Sequence, residues 1–524
     1  MDLEDLNLNN TPTSLPSTTS PAYLDDIPSD LVGKTVAVVT FGCAHNQADS
    51  EIIMGVLAAA SFNIIDVNPR QNLSEIESAD CVVVNGCTVV DISEHNFFKA
   101  VRTARSKSIP TIVAGCVAQA SSRDSRLDGI INIGTKGQVF AAQAVVAALL
   151  GHAFSIPKPK SIYSVETVDD FSEFCGNPLT LPSRRRHPNI EIIPICSGCV
   201  SHCKLVSYPL SSIVKRAVDA AKRDAVEIWF TGEDTGAYGL DWKLASVDLV
   251  DLLEAVLPAL EPYNCRLRIG HANPQHVARI LPRFMSSPIV NHPRLFRFIH
   301  LPLQSGSDSV LTDMQRDHDC GTWKSAATAL QELRFTISTD IIVSYPTELE
   351  QDHQDTLTVL NEIEPTFTNI TQFFPRRGTS AFRMKRVPSD TVKRRSKEIH
   401  DWSAAFEPFN HLVNQEVVCW VYGKAHDGKR TACHSIGYLQ VLVEGEYPVG
   451  SELTIRHVLF RDVTVKNTPP LEHMFSRPKL TASRYISNSN LLPSIRFLSA
   501  PVLFSNQTSK EDLPPFRKSQ IKST

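Results

Sequence analysis

A three-part α/β architecture is what the sequence predicts: an N-terminal parallel α/β sheet domain, then a partial (β/α)6 barrel, then a small β-barrel. Three observations carry that expectation. Apolar, β-branched runs ending in Gly-Cys recur three times between Lys34 and Cys116. Six further apolar runs, separated by helix-length segments, occupy residues 184–407, and short β-like runs divided by glycines follow as far as Lys466. At 524 residues the chain is long enough for three or four domains, and 42% hydrophobic with 21% charged residues is ordinary for a globular protein. A net charge of −4 excludes a globally basic nucleic-acid binder, so any basic site has to be local.

The first residues, "MDLEDLNLNNTPTSLPSTTSPAYLDD", are acidic and Ser/Thr/Pro-rich, without a basic start or an apolar stretch. They read as a disordered tail over 1–31 rather than a secretory signal, which makes the cytoplasm the expected compartment. Over 32–150 the runs "KTVAVVTFGC", "ADCVVVNGC" and "IPTIVAGC" read as parallel strands. Ligands of such sheets bind outside the carboxyl ends of the strands, where Cys43, Cys87 and Cys116 fall, each starting a helix that favours thiolate. Any one of them could simply fill a small slot after its strand. Three repeats make a single soft-ligand site the more economical account, either tetrahedral zinc with one open position or a 4Fe-4S cluster.

Residues 151–183 carry little periodicity and read as a linker, leading into "SRRRHPN". The barrel strands are then expected at 190–195, 225–232, 265–270, 295–304, 337–346 and 367–375, with the polar loops that follow them sharing one face. The first of those loops holds "CSGCVSHCKLVSYP". From 408 to 467 the runs "EVVCWVYG", "GYLQVLVEG", "GSELTIRHVLF" and "DVTVK" suit a small β-barrel, and 468–524 reads as a disordered tail. The apolar stretch "LLPSIRFLSAPVLF" is broken by Arg496 and two prolines, so no membrane span is expected. Without a secretory signal, the twelve cysteines are thiolate ligands or buried thiols rather than disulfides; Cys81, Cys265, Cys419 and Cys433 read as small buried hydrophobes.

With these motifs in order, residues 32–466 resemble the radical S-adenosylmethionine methylthiotransferases that modify tRNA. "TFGCAHNQADSE", "NGCTVV" and "AGCVAQ" are similar to that family's three N-terminal cysteine motifs. "TGEDTGAYG", "HLPLQSGSDSVLTDMQRDH" and "QFFPRRGTSAFRM" are similar to its barrel segments, and "EDTGAYG" resembles the eukaryotic and archaeal branch acting on threonylcarbamoyladenosine. The resemblance implies a methylthiotransferase domain over 32–150, a radical SAM core over 184–407 and a TRAM-like domain over 408–467. It implies a methylthio group placed on C2 of the modified adenosine beside the anticodon, with tRNA as partner. It implies two 4Fe-4S clusters, one on Cys43, Cys87 and Cys116 and one on the barrel loop through Cys199 and Cys203. S-adenosylmethionine would bind at the second, with Glu233, Gln304 and Ser305 as its cofactor-binding residues. No side chain is assigned as an acid or base, because an unactivated aromatic C–H does not yield to such chemistry.

Two departures stand out. The family loop runs Cys-x3-Cys-x2-Cys; here Cys199 and Cys203 fill the first two positions and the third is Val206, with about ten residues absent before "KLVSYP". The alternative reading is therefore a catalytically impaired tRNA-binding relative, or an exon-boundary error in an active enzyme. Cys196 could supply a third thiolate, and Cys196, Cys199, Cys203 and His202 a zinc set, though adjacent His202 and Cys203 point apart on a turn. The second departure is "DIIVSYPTELEQD", with Ser344 and Thr347 where the family prefers glycine. Late in the barrel, Arg376, Arg377, Arg383, Lys385 and Arg386, then Lys393, Arg394, Arg395 and Lys397, interrupt an acidic chain. Arg376, Arg377, Arg383 and Arg386 are expected to track tRNA phosphates, while a solvated helix face explains much of the later group.

Overall fold

Burial on both faces explains the first sheet. In β1 (Thr35–Thr40), Val36 and Val38 enter one core while Ala37 and Val39 enter another, so the strand reads as an unbroken apolar run. After it come α1 (Ala44–Ala59), β2 (Asn63–Val67), β3 (Cys81–Asn85), α2 (Asp91–Ser106), β4 (Thr111–Ala114), α3 (Gly115–Ala120), β5 (Ile131–Gly134) and α4 (Ala141–Leu150). The sheet order is β2-β1-β3-β4-β5 and every pair is parallel. Residues of α1 and α4 fill the first core, those of α2 and α3 the second. The two edge strands β2 and β5 were not expected; β2 is largely exposed and carries no cysteine turn to mark it.

The computed structural model describes residues 27–69, 73–88, 91–122, 124–156, 178–198, 205–242, 247–376, 379–406, 408, 412, 415–425, 427–455, 459–460 and 480–482. The tail expected over 1–31 therefore lies mostly outside the described residues, and its last part belongs to the sheet domain, since Leu31 is buried and Ile27 packs on the first core. Of the linker expected over 151–183, residues 157–177 lie outside the described residues. Its described end is built into the sheet domain: Leu181 joins the first core, and a Cβ on Gly55 would stand 2.1 Å from the Pro182 carbonyl oxygen. Arg184 N–H donates to Glu51 O at 2.8 Å and Arg186 N–H to Glu51 Oε1 at 2.9 Å, with the Arg186 guanidinium reaching Thr40 and Asp66.

The barrel runs β6 (Ile190–Pro194), β7 (Cys196–Ser197), β8 (Val206–Ser207), α5 (Leu210–Lys222), β9 (Glu227–Thr231), α6 (Leu249–Leu260), β10 (Arg266–Arg268), α7 (Pro274–Ser286), β11 (Phe298–His300), α8 (Asp308–Asp313), α9 (Cys320–Glu332), β12 (Thr336–Val343), α10 (Glu350–Ile363), β13 (Phe367–Gln372) and α11 (Ser389–Ala405). Parallel β6-β9-β10 and β11-β12-β13 are joined by bridges at Leu267–Leu295 and His271–His300, so six strands follow one another as expected. Ile228, Phe230, Leu267, Ile299, Ile337 and Ile341 pack outward into the core beneath the helices. Alternation turns Glu227, Trp229, Arg268, Phe298, His300 and Asp340 to the inner face.

The last sheet contains β14 (Val417–Lys424), β15 (Arg430–Ser435), β16 (Gln440–Glu444), β17 (Glu452–Ile455), β18 (Leu459–Phe460) and β19 (Leu480–Ala482), in the order β17-β14-β15-β16-β19-β18. All its pairs are antiparallel except β16 with β19. Two strands differ from expectation. The polar run "RTACHS" hid β15, and β19 falls inside the stretch expected to be disordered. "DVTVK" lies outside the described residues. Cys419 and Cys433 are fully buried in this sheet, and Cys81 and Cys265 in theirs, matching their reading as small hydrophobes. Among the described residues, no helix is long and apolar enough to cross a membrane.

Candidate functional site

The strand order of the first sheet reverses between β1 and β3, and such a switch point opens a crevice at the carboxyl ends of the strands. Cys43 follows β1 as the N-cap of α1, Cys87 follows β3, and Cys116 lies in the first turn of α3 after β4. The three cysteines thus share one edge of three adjacent strands. Glycines let the turns close on one another. Gly42, at φ +131°, would put a Cβ 2.3 Å from the Cβ of Cys87, and Gly115, at φ +82°, one 2.6 Å from the Gly86 carbonyl oxygen. Cys43 lies within hydrogen-bonding reach of Cys87, a contact that raises its pKa well above the ordinary thiol value, with burial adding to the effect.

A polar ladder that sequence reading missed supports this edge. The Cys43 thiol donates to Asn46 Oδ1 at 3.4 Å, Asn46 Nδ2 to Asn85 Oδ1 at 3.3 Å, and Asn85 Nδ2 to Ser50 Oγ at 2.8 Å, while Thr40 Oγ1 donates to the same hydroxyl at 2.6 Å. The signal was present in the sequence, since Asn85 is a polar residue ending the apolar run "CVVVN". Among the described residues, no group of three His, Cys, Asp or Glu side chains closes on a point that would hold a single ion. Tetrahedral zinc needs its thiolates about 2.3 Å from one centre, whereas a cluster takes each thiolate on a separate iron.

Across from this edge stands the mouth of the barrel. Two residues beyond Cys43, His45 Nε2 lies 3.7 Å from Glu233 Oε1, and Glu233 Oε2 accepts from Gly198 N–H at 2.9 Å. Burial opposes charge on His45, but the Glu233 and Asp49 carboxylates outweigh it and lift its pKa to about 9. Burial likewise pushes Asp49 up to about 7, against the pull of His45. Gly198 opens the loop that carries Cys199 and Cys203, both of which lie outside the described residues. The loop's stem is described. Ser197 pairs with Val206 and Cys196 with Ser207, so the position given to a third cysteine holds a half-turned hairpin residue that is 8% exposed. The Cys196 thiol is fully buried, donates to the Asp234 carbonyl at 3.4 Å and fills the space above Gly232. It points into the barrel wall.

Gln304 and Ser305 follow β11 at the same end of the barrel and are both buried. Gln304 takes φ +72° while its N–H donates to Asp340 O at 2.8 Å and its carbonyl accepts from Ile342 N–H at 2.9 Å. Ser344, one strand away, also takes a left-handed φ of +63°, the conformation for which glycine is best suited. Below them lies a second feature that motif reading passed over. His300 Nε2 approaches Asp340 Oδ2 at 2.9 Å, Asn369 Nδ2 donates to Asp340 Oδ1 at 2.8 Å, and the His271 and His300 rings sit 5.3 Å apart. Burial alone would raise the Asp340 pKa, but His300 and Asn369 outweigh it and hold it near 2. Asp234 is a staple for the neighbouring loops, accepting from His276 Nδ1 at 2.6 Å and Asn273 Nδ2 at 2.8 Å.

The basic residues divide into two groups. Arg394 pairs with Glu350 and Glu398, Lys397 with Asp401, and buried Arg395 with Glu348 at 2.9 Å, so this group is structural. Arg383, Lys385 and Arg386 are exposed, and Arg376 is half-buried; Arg377 lies outside the described residues.

Comparison with known proteins gives consistent results. Residues 35–129 match the model of "Uncharacterized protein family UPF0004". A threonylcarbamoyladenosine tRNA methylthiotransferase of Drosophila pseudoobscura pseudoobscura is 35% identical over 420 residues, covering 78% of this chain and 72% of that protein. The Homo sapiens protein of the same name is 34% identical over 416 residues, covering 77% and 68%. An Archaeoglobus fulgidus protein, named "Probable threonylcarbamoyladenosine tRNA methylthiotransferase", is 29% identical over 440 residues, covering 81% and 96%. Among solved structures, a radical S-adenosylmethionine methyltransferase from Kitasatospora setae superposes with a TM-score of 0.45 at 13% identity, over 65% of this chain and 73% of that one.

Proposed function

The chain belongs to the threonylcarbamoyladenosine tRNA methylthiotransferases, and from that premise we propose that it carries a sulfur-site cluster on Cys43, Cys87 and Cys116 facing a S-adenosylmethionine site at the barrel mouth. The reaction is methylthiolation of tRNA, at C2 of the threonylcarbamoylated adenosine beside the anticodon. The observation that carries this reading is the contact of His45 with Glu233, which sets the cysteine edge of the first sheet against the barrel loop. An iron–sulfur cluster with S-adenosylmethionine supplies the one-electron chemistry that an aromatic C–H bond demands.

The chain's own residues then have distinct tasks. The Asn46, Asn85 and Ser50 ladder fixes the turns that present Cys43 and Cys87. Glu233 anchors the first residue of the barrel loop while its side chain, 31% exposed, remains reachable by a cofactor amine. Gln304 and Ser305 line the same mouth, where the backbone bonds of Gln304 lock β11 to β12. His300 and Asp340 form a polar layer beneath it. Arg376, Arg377, Arg383 and Arg386 bind phosphates of the tRNA.

The test pairs two readouts under anaerobic conditions with strong reductant. Iron counting on a Cys43→Ala, Cys87→Ala, Cys116→Ala triple variant should give about four irons fewer than the parent, the content of one cluster. Assay with S-adenosylmethionine and threonylcarbamoylated tRNA should give 5′-deoxyadenosine and methylthiolated nucleoside once a cysteine-bearing segment is inserted after Cys203. The chain as written should bind tRNA but cleave no cofactor, since Val206 is part of the hairpin stem. Unchanged iron in the triple variant would overturn the sulfur-site assignment, and cleavage by the chain as written would overturn the account of the loop.

A further inference from the structure

The described residues of the loop after β13 divide between a small core and solvent. Phe373 meets Tyr345 edge to face with ring centroids 4.9 Å apart, and Ala381, Val310, Met314 and Met384 complete a small core that pins the loop to the barrel rim. Thr379 N–H donates to Arg376 O at 3.2 Å, Phe382 N–H to Thr379 O at 3.3 Å and Met384 N–H to Ala381 O at 3.3 Å, so the backbone folds back on itself in successive turns. Phe374 and Phe382, on the same loop, stay outside that core, each 43% exposed. Arg383, Lys385 and Arg386 accompany them, exposed and without an acidic partner among the described residues.

One exposed phenylalanine is unremarkable on a protein surface. Two on a single anchored loop, interleaved with unpaired cations, at the end of the barrel that carries Glu233 and Gln304, form a surface with a definite chemical complement. Duplex RNA offers phosphates but keeps its bases stacked on one another. Unpaired loop nucleotides offer both phosphates and free π-faces, and aromatic platforms beside basic side chains are how proteins hold them. Chemistry on a base edge also requires that base to leave the stack, which strands its neighbours.

We propose that Phe374 and Phe382 are stacking platforms for unpaired anticodon-loop bases, with Arg383, Lys385 and Arg386 holding the intervening phosphates. The assignment rests on the tRNA reading above and adds to it the means by which a loop is told from a stem. Phe373, Ala381 and Met384 are the anchoring side chains, so substitutions at Phe374 and Phe382 leave the loop's own core intact.

The experiment titrates the full chain with a fluorescent anticodon stem-loop RNA and with a blunt RNA duplex of equal charge, each across a range of salt. Phe374→Leu combined with Phe382→Leu should weaken stem-loop binding about ten-fold, leave duplex binding unchanged and leave the salt slope unchanged. Arg383→Ala with Arg386→Ala should flatten the salt slope by about 1.5 for both RNAs. Phe382→Trp, with a larger π-face, should bind the stem-loop at least as tightly as the parent. Equal losses on both RNAs, or none on the stem-loop while the parent binds it, would overturn the stacking assignment alone. A parent that binds neither RNA would overturn the tRNA reading together with it.

Discussion

Ser344 shows what one side chain can cost. Its φ of +63° is a left-handed conformation, which costs a residue bearing a Cβ about 1–2 kcal/mol. Its hydroxyl is buried without a partner among the described residues, while its N–H is held by Glu348 Oε2 at 2.9 Å, so the backbone cannot relax. Ser344→Gly is therefore expected to stabilise the protein by about 1 kcal/mol, the relief of strain outweighing the added freedom of the unfolded chain. Urea unfolding of the two proteins checks it, and a lower midpoint for the variant would refute the account. The glycine preference at this position was legible in the sequence by resemblance, and the left-handed backbone supplies its physical reason. Cys196 sits at a strand end, where a side chain need not face the loop that follows, and its hydrogen bond to the Asp234 carbonyl at 3.4 Å turns the thiol into the barrel wall.

All six barrel strands were readable because each buries an apolar face beneath helices, whereas β2 and β15 were missed because their exposed or polar positions carry no such signature. The inner faces were the least legible part, since polar residues such as His300, Asp340 and Asn369 look like interruptions until β11, β12 and β13 are placed side by side. That column makes a pH prediction. Asp340 has its pKa held near 2 against an ordinary 3.8, so the stability it contributes is complete above pH 4 and is lost as the pH falls toward 2. Between pH 5 and pH 3 the parent should lose about 1 kcal/mol more unfolding free energy than Asp340→Asn. Denaturant titrations at the two pH values measure the difference, and parallel losses would show that the carboxylate is not held in this way.

For the chain as a whole, the order of domains was readable but their joints were not, because no periodicity announces a residue that packs on another domain. The stretch 178–187, which includes the described end of the linker expected over 151–183, braces two bodies, with the Pro182 carbonyl seated where Gly55 has no side chain. Gly55→Ala puts a methyl group into that seat and is expected to cost about 2 kcal/mol. It should also speed proteolytic cleavage near Arg184–Arg186, which limited digestion with trypsin would detect; parent-like cleavage would mean the joint yields without loss. At the other end, the β-sheet domain shares its core with the barrel floor: Phe296, Phe298 and Phe367 pack with Val417, Cys419 and Tyr438. Glu227 of β9 is held there by His434 at 2.6 Å and Tyr438 at 3.3 Å, and Arg268 lies over the Tyr438 ring at 4.9 Å. This shared floor restricts inheritance. A recombination event or premature stop near residue 408 would leave an adhesive apolar face and a buried carboxylate stripped of two donors, a product destined for chaperones and proteases. The final sheet and the barrel must therefore be passed on together, and homologous exchange between relatives can cut the gene only where this floor is not divided.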